Sequence, residues 1–356
     1  MKVCILGDGL SCLALAKALV NQKIRVDNLI NKKKQKINYS RTLGISKKNI
    51  DYINKSIINI EKIHWKLKKI EIFSENLKNE KLLNFENNDN YLFSIIKNYK
   101  FQELLKRSLS KDKYFKSIDE KKEIILNNYD LIINTELNNF LTKKYFSKKI
   151  EKKYNSIAYT TTIKHDKILN NTATQIFTKK GPLAFLPISN NETSIVYSLN
   201  ENFNPRENIQ KLIEKYNFKY QIKKIKKFET FKLKAVTLRE YCNSNILAFG
   251  DLLHRVHPLA GQGFNMTIRD IIVLMRIIDQ RINLGLPIDK SVGKEFEQKT
   301  RHTNFIFSNG INFIYEFFNF ERKINIKGFS KSVQTFGKNT RITKMITKLA
   351  DEGLVY

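Results

Sequence analysis

The chain begins with a buried strand, a turn that contains two glycines, and a helix, in immediate succession. Residues 3–6 are an apolar run, Gly7 and Gly9 follow it, and apolar residues then recur at helical spacing through residue 19. Glycines at such a turn let the backbone approach an anionic group, whose charge the helix N-terminus stabilises. The order of these elements therefore predicts an α/β fold with a mostly parallel sheet and a dinucleotide pyrophosphate at its first turn.

Two positions near this turn depart from the usual pattern. Cys12 occupies the third glycine position, which serves packing of the helix against the strand more than phosphate contact, so a small thiol is acceptable there. The second strand, at residues 24–30, leads to Asn31 where an acidic residue is expected. Asn31 can still hydrogen-bond a ribose, although more weakly than a carboxylate. Asp27 is expected to point away from the site.

A second glycine-containing turn follows another short apolar run, residues 245–249. Gly250 and Asp251 end the run, a loop leads to Gly261, and a helical pattern begins near Gly263. A carboxylate at the tip of a strand can accept hydrogen bonds from sugar hydroxyls, and backbone N–H groups at a helix start can approach an electron-rich ligand. We therefore predict that residues 250–265 form part of a cofactor site.

Taken together, the two turns resemble those of the aromatic-ring flavoprotein monooxygenases, and in particular the FAD-dependent hydroxylases of ubiquinone biosynthesis. Residues 41–46 are similar to an Arg-Ala-Leu-x-Leu-Ser segment of that family, and Gln102 lies in a segment similar to its flavin-side helix. Residues 175–177 and 181–187 resemble its strand and loop on the substrate side. The resemblance spans about residues 1–295. It implies a Rossmann-like FAD-binding domain interleaved with an antiparallel β substrate domain.

The same resemblance implies an enzyme that hydroxylates the aromatic ring of a prenylated phenol in ubiquinone biosynthesis, with FAD as cofactor and NAD(P)H and O2 as co-substrates. It gives no catalytic side chain, and it places Phe185, Pro187 and His257 at the substrate pocket. The implied cofactor-binding residues are Gly7, Gly9, Leu10, Ser11, Asn31, Arg41, Gln102, Gly250, Asp251, Pro258, Gly261, Gln262, Gly263, Phe264 and Asn265.

One element expected in this family is altered. The family carries an Asp-Gly motif after a mid-chain strand, whereas here residues 130–133 lead to Asn134, with Glu136 and Leu137 in place of the Asp and the Gly. Lys143 replaces a later arginine. Because the family uses this motif in handling flavin and nicotinamide, either neutral drift or a loss of efficient reduction by NAD(P)H explains the change. Two alternatives to a hydroxylase therefore stay open: an FAD-binding accessory protein of the same pathway, and a flavin-dependent prenyl reductase.

Charge and cysteine content limit which partners, metals and cellular locations we expect for this protein. The net charge of +30 comes mainly from dispersed lysines, without zinc-ligand spacing or an aromatic RNA-binding signature, so we expect no nucleic-acid partner. A basic surface also suits an anionic membrane or a biosynthetic complex.

The cysteines have no metal or redox spacing, and His254 and His257 lack further ligands, so we expect neither disulfides nor a metal. The apolar runs are too short to span a membrane and no signal peptide is evident, so we expect a cytoplasmic protein, with peripheral attachment to the inner membrane as an alternative.

The order of these segments also predicts domain boundaries. We expect an FAD-binding domain of residues 1–63, 96–152 and 234–295, a substrate domain of residues 64–95 and 153–233, and a C-terminal helical region of residues 296–356. In the last region, aromatic residues between Phe305 and Phe320 recur at helical spacing. The spacing favours a face buried in a core, and the aromatic content leaves a membrane or partner surface open.

Overall fold

The computed structural model describes residues 2–30, 38–77, 80–87, 90–119, 128–201, 209–258, 261–324, 328–337 and 339–353. Asn31, one of the predicted cofactor residues, lies outside the described residues. Within these ranges the strands form three sheets, and helices follow them at the C-terminal end. The predicted α/β fold class, with parallel and antiparallel sheets and a C-terminal helical region, is confirmed.

The first sheet is mostly parallel and has the N-terminal strand near its centre. Among the described residues its strands are, in spatial order, β16 (Cys242–Asn243), β17 (Ile246–Ala248), β9 (Leu131–Asn134), β1 (Lys2–Leu6), β2 (Arg25–Ile30) and β8 (Phe115–Asp119). All neighbouring pairs are parallel except β16 and β17. Its hydrophobic core is shared with α1 (Leu10–Asn21), α3 (Asn98–Leu109) and α6 (Gln262–Asn283).

The second sheet is larger and mostly antiparallel. Its described strands are, in order, β18 (His254–Arg255), β15 (Glu229–Leu238), β10 (Lys149–His165), β13 (Glu192–Asn200), β12 (Gly181–Pro187), β11 (Thr172–Thr178), β5 (Lys69–Ser74) and β6 (Lys81–Glu86), with β14 (Ile222–Ile225) paired to β10. The pair β5 and β11 is parallel. One face packs on α5 (Ile209–Tyr216), and the other packs on α7 (Lys290–Ile324). The sheet thus has apolar contacts on both faces.

A small third sheet contains β3 (Thr42–Ser46), β7 (Phe93–Lys97) and β4 (His64–Leu67) in the described ranges. The remaining helices described are α2 (Lys47–Tyr52), α4 (Phe140–Tyr145), α8 (Gly328–Gly337) and α9 (Thr340–Glu352). Residues 64–95 are therefore divided between the second and third sheets, and β15 continues across the predicted boundary between residues 233 and 234. The domain limits themselves stay a prediction.

An ion pair network joins the second and third sheets. Glu192, at the start of β13, accepts hydrogen bonds from Lys97 Nζ at 2.8 Å and Lys226 Nζ at 3.0 Å. Burial alone would raise the pKa of Glu192, but the hydrogen bonds from these two lysines outweigh burial and lower the pKa to about 2. The carboxylate is therefore charged wherever the fold is intact near neutral pH.

The C-terminal helix α7 is apolar on more than one face. Ile311, Tyr315 and Phe318 are buried against the second sheet, as the predicted core face requires. Phe313, on another face of the helix, is 68% exposed. The predicted core face therefore accounts for only some of the apolar residues in this helix. No helix in the described ranges is both long enough and apolar enough to cross a bilayer.

Candidate cofactor and substrate site

The two glycine-containing turns are far apart in the sequence and in contact in the fold. Gly250 has φ +64°, and a Cβ at this position would lie 2.6 Å from Cβ of Ser11. Gly7 has φ +129°, and a Cβ there would lie 2.2 Å from Oγ1 of Thr135. Positive φ and close packing both require glycine at these two positions. The first turn, the mid-chain segment and the second turn therefore converge at one place.

Gly9 lies directly before α1 and borders open space. Its backbone is extended, and its helix begins without a capping side chain. No heavy atom lies within 4 Å of the position that a Cβ would take at Gly9. Leu10 and Ser11 continue the same wall. The first turn of α1 thus offers room and uncapped N–H groups, which is the arrangement that accommodates an anionic group.

The neighbouring polar and thiol groups support this turn from behind. Cys12 is fully buried, and its thiol donates a hydrogen bond to the carbonyl oxygen of Gly7 at 3.1 Å. Burial raises the pKa of the Cys12 thiol well above its ordinary value. Asn28 also donates to Gly7, at 2.8 Å. Asp27 points elsewhere, as expected, and accepts a hydrogen bond from Tyr129. Cys12 therefore has the predicted packing position.

A cavity of about 1280 Å³ borders both turns and extends along the second sheet. Among the predicted cofactor residues, those that line it are Gly9, Leu10, Ser11, Arg41, Gln102, Asp251, Pro258, Gly261, Gln262, Gly263 and Phe264. Gly7 and Gly250 lie behind this wall and shape it. The part of the wall formed by the second sheet and α7 is apolar and includes Ile70, Ile72, Phe177, Leu186, Phe231, Leu233, Phe307 and Ile311. A polar region and an apolar region thus belong to one cavity.

The side chain of Asn265 is fully engaged by the protein, so only its backbone is available to a cofactor. Its Oδ1 accepts hydrogen bonds from the Ser46 backbone N–H at 3.0 Å and from Asn49 Nδ2 at 2.8 Å. Its Nδ2 donates to the carbonyl oxygens of Gly44 at 2.9 Å and Gly261 at 3.2 Å. These four bonds use the full capacity of the amide. The side chain therefore holds β3 against the start of α6, and contact of the Asn265 backbone N–H with the cofactor stays a prediction.

The predicted pocket residues Phe185, Pro187 and His257 do not line the cavity. Phe185 lies on the opposite face of β12, 2% exposed, with its ring stacked on Tyr220. Its neighbours Ala184 and Leu186 line the cavity instead. Successive side chains of a strand alternate between faces, so the prediction had the right strand and the wrong register. His257 is buried, with its ring stacked on Tyr315 at 4.3 Å between centroids.

A buried histidine and carboxylate connect the second turn to two helices. Nε2 of His254 lies 2.5 Å from Oδ2 of Asp270 on α6, and Asn304 on α7 donates to Oδ1 of Asp270 at 3.0 Å. The sequence analysis placed His254 in the flavin loop and missed this pair. The sequence signal for this pair is a charged residue, Asp270, among the buried and mostly apolar residues of α6. In the described ranges, no group of three or more His, Cys, Asp or Glu side chains is arranged to hold a metal ion.

The altered mid-chain segment still forms an ordered loop at the cavity. Asn134 Nδ2 donates to Thr142 Oγ1 at 2.8 Å, and Asn139 Oδ1 accepts from the Thr142 backbone N–H at 2.8 Å. Glu136 and Leu137 line the cavity beside the first turn. The substitutions therefore change the chemistry of the wall while the loop that carries them is retained.

Comparison with known proteins agrees with this geometry. A family model described as an FAD binding domain matches residues 133–283. The ubiquinone hydroxylase UbiL of Rhodospirillum rubrum is 26% identical over 162 residues, covering 43% of this chain and 38% of the relative. The 3-demethoxyubiquinol 3-hydroxylase of Escherichia coli is 27% identical over 154 residues, covering 40% of this chain and 38% of the relative. Over these segments the chain is similar to FAD-dependent hydroxylases of ubiquinone biosynthesis. The alignments span well under half the length of these two relatives.

Solved structures show the same fold at low sequence identity. The p-nitrophenol 4-monooxygenase PnpA from Pseudomonas putida superposes with a TM-score of 0.77 at 12% identity, covering 99% of this chain and 98% of that chain. HpxO from Klebsiella pneumoniae, solved with FAD and uric acid, gives 0.77 at 12% identity, covering 98% and 96%. The match to the FAD binding domain model over residues 133–283 confirms FAD as the cofactor expected from the sequence.

The residues present fit FAD at this cavity. Open space beside Gly9 and the uncapped start of α1 suit a pyrophosphate, while Asp251 lines the same cavity with its side chain half exposed. Gly261 has φ +64° and directly precedes α6, so the backbone N–H groups of Gln262 and Gly263 begin a second helix at the cavity wall. Two helix N-termini and a carboxylate therefore border one continuous space.

Proposed function

We propose that the chain is an FAD-dependent monooxygenase that hydroxylates the aromatic ring of a prenylated phenol in ubiquinone biosynthesis, using NAD(P)H and O2. One observation carries the proposal: the cavity that borders both glycine-containing turns continues into the apolar region between the second sheet and α7. The ring of a substrate would thus lie next to the cofactor region of the cavity, and its long apolar tail would lie in the adjoining apolar region. The names of the curated relatives support the substrate class.

The first task of the protein is to bind and orient FAD. In this proposal the start of α1 and Gly9 hold the pyrophosphate, since N–H groups and a helix N-terminus stabilise its negative charge. Asp251 accepts hydrogen bonds from the ribityl hydroxyls. The backbone N–H groups at Gln262 and Gly263 stabilise negative charge on the flavin ring. Arg41 and Gln102 line the same space and complete the polar wall.

The second task is to orient the phenol and exclude water. Bound FAD supplies the redox chemistry, taking electrons from NAD(P)H and activating O2 for transfer of one oxygen atom to the ring. Leu186 and Ala184 on β12 face the cavity where Phe185 was predicted, and Phe177 and Phe231 extend this apolar wall. Such a wall keeps water away from the reacting atoms and favours an apolar substrate. We assign no side chain as a general base.

The experiment is to purify the protein and measure three quantities: bound FAD from the visible spectrum, O2 consumption with NADH or NADPH, and product mass. We expect bound FAD, O2 uptake that depends on a prenylated phenol, and a product heavier by one oxygen atom. The same phenol without its tail is the control substrate, and we expect a higher KM for it. Leu186→Trp should fill the cavity and reduce turnover while FAD stays bound.

The two alternatives give different results. FAD binding without O2 uptake under any of these conditions would favour an accessory role, as Glu136 and Leu137 in the altered loop already do. Saturation of the prenyl tail without O2 consumption would favour a prenyl reductase. Either result would contradict the hydroxylase proposal.

A further inference from the structure

The face of α7 that borders the cavity is also open to solvent. Ile306, Phe313 and Ile314 are spaced along one side of the helix, and all three line the cavity. Their exposed fractions are 40%, 68% and 48%. These side chains therefore lie where the cavity meets the surface. Exposed apolar groups in such a cluster mark an interaction site more often than a random surface does.

The last helix borders the same cavity. Ile346 and Leu349 of α9 line the cavity and are both 37% exposed, and the adjacent Met345 is 70% exposed. We call the six residues Ile306, Phe313, Ile314, Met345, Ile346 and Leu349 the rim. The rim thus consists of partly exposed apolar side chains from two helices that border the same cavity.

Positive charge lies next to the rim. Arg341, Lys344 and Lys348 are exposed on α9, interleaved with its apolar rim residues. Two acidic groups near these residues are engaged by the protein: Asp351 accepts a hydrogen bond from the Lys48 backbone N–H at 2.9 Å, and Glu316 of α7 pairs with a lysine of β10 at 2.8 Å. An amphipathic helix with lysines beside large apolar side chains is suited to the headgroup region of an anionic bilayer.

We propose that the rim docks on the surface of an anionic lipid bilayer, so that a substrate dissolved in the bilayer enters the cavity without crossing water. The entry of substrate rests on the proposed function, whereas bilayer binding by the rim does not. A second copy of the chain fits this surface less well. A symmetric contact through the rim would place Lys344 and Lys348 near the same lysines of the other copy, and like charges repel.

The test is sedimentation of the FAD-loaded protein with vesicles of phosphatidylcholine containing phosphatidylglycerol, compared with phosphatidylcholine alone. We expect binding to the anionic vesicles that weakens as salt is raised, because surface charges are screened over about 8–10 Å near physiological salt. The charge variant Lys344→Gln with Lys348→Gln should weaken binding about twenty-five-fold, from about fivefold for each lysine near an anionic surface. Lys113→Gln with Lys116→Gln, at the far edge of the first sheet, is the matched control.

The apolar part of the rim is tested in the same assay. Phe313→Ser with Ile346→Ser should weaken binding at least about tenfold, since each side chain would otherwise bury apolar area in the bilayer. Leu169→Ser, which removes an apolar side chain that is 79% exposed elsewhere, should have no effect. Far-UV circular dichroism and FAD content show that each variant is folded.

Three outcomes overturn the docking proposal. The first is no binding to anionic vesicles, and the second is equal binding by rim and control variants. The third is a dimer in light scattering that only the rim variants abolish, which would mean that a second copy covers the rim. Hydroxylation of a water-soluble, tail-less phenol tests the proposed function separately, because the charge variant Lys344→Gln with Lys348→Gln, at two residues that do not line the cavity, should not change it. Vesicle binding that depends on the rim would therefore stand even if that activity were not found.

Discussion

Gly261 allows the close approach of α6 to β3, and its substitution gives the sharpest test of the site geometry. A Cβ at Gly261 would lie 3.1 Å from two backbone atoms of Gly44, at φ +64°. Gly285, at the other end of α6, has nearly the same φ, +66°, and no heavy atom within 4 Å of the corresponding Cβ position. In the variants Gly261→Ala and Gly285→Ala, the alanine should therefore have the same unfavourable backbone conformation. Only the Gly261→Ala side chain should also meet close neighbouring atoms.

The expected magnitudes follow from this difference. Alanine in the left-handed region costs about 1–2 kcal/mol, partly offset by about 0.4–1 kcal/mol from the reduced entropy of the unfolded chain. Gly285→Ala should thus lower the free energy of unfolding by about 1 kcal/mol. Gly261→Ala should lower it by about 2–4 kcal/mol, because backbone atoms of Gly44 cannot move aside as a flexible side chain could.

The assay is urea unfolding of the FAD-free proteins, followed by circular dichroism, with FAD affinity measured by fluorescence quenching. We expect FAD affinity to fall about tenfold or more in Gly261→Ala, equivalent to about 1.4 kcal/mol, and to stay unchanged in Gly285→Ala. Equal losses of stability in the two variants would refute the close approach. Unchanged FAD affinity in Gly261→Ala would refute a role for the start of α6 in the cofactor site.

Three further predictions concern single side chains. Asp251→Asn should weaken FAD binding about tenfold through loss of a charge-assisted contact, whereas the exposed Asp289→Asn should leave the affinity unchanged. Gly9→Val should give a folded protein that does not retain FAD, because its side chain would occupy the open space; a variant as yellow as the parent would argue against the pyrophosphate site. Glu192→Gln should lower the free energy of unfolding by about 1–2 kcal/mol at pH 7, a value reduced for solvent screening. Because the pKa of Glu192 is lowered in the fold, its stabilisation is present above pH 4.5 and is lost as pH falls towards about 2, so the two proteins should converge there in urea titrations.

The sequence predicted those parts of the site that depend on local order. The first strand, Gly9 and the start of α1 follow one another directly in the sequence. Few residues other than glycine let the backbone of such a turn approach an anionic group. The register of β12 could not be predicted in this way. Phe185 packs on one side of the strand while Leu186 borders the cavity on the other, so both positions are apolar and alternation carries no signal.

The role of the Asn265 side chain also could not be predicted from its neighbours in the sequence. Three of its four hydrogen bonds reach β3 and α2, whose positions relative to α6 are set by tertiary packing. The same is true of α7, where one apolar face packs on the second sheet and another borders the cavity. A helical period shows that apolar faces exist, and it does not show what each of them contacts.

The contact between Gly250 and Ser11 has a consequence for how the protein is made. The residues that meet there are synthesised about 10–50 s apart at a translation rate of about 5–20 residues per second. The first strand and α1 must therefore wait, with their apolar surface uncovered, until β17 and the start of α6 have emerged. We expect FAD to be captured only after that point, so every nascent chain shorter than this is cofactor-free and depends on chaperones or on partial packing to stay in solution.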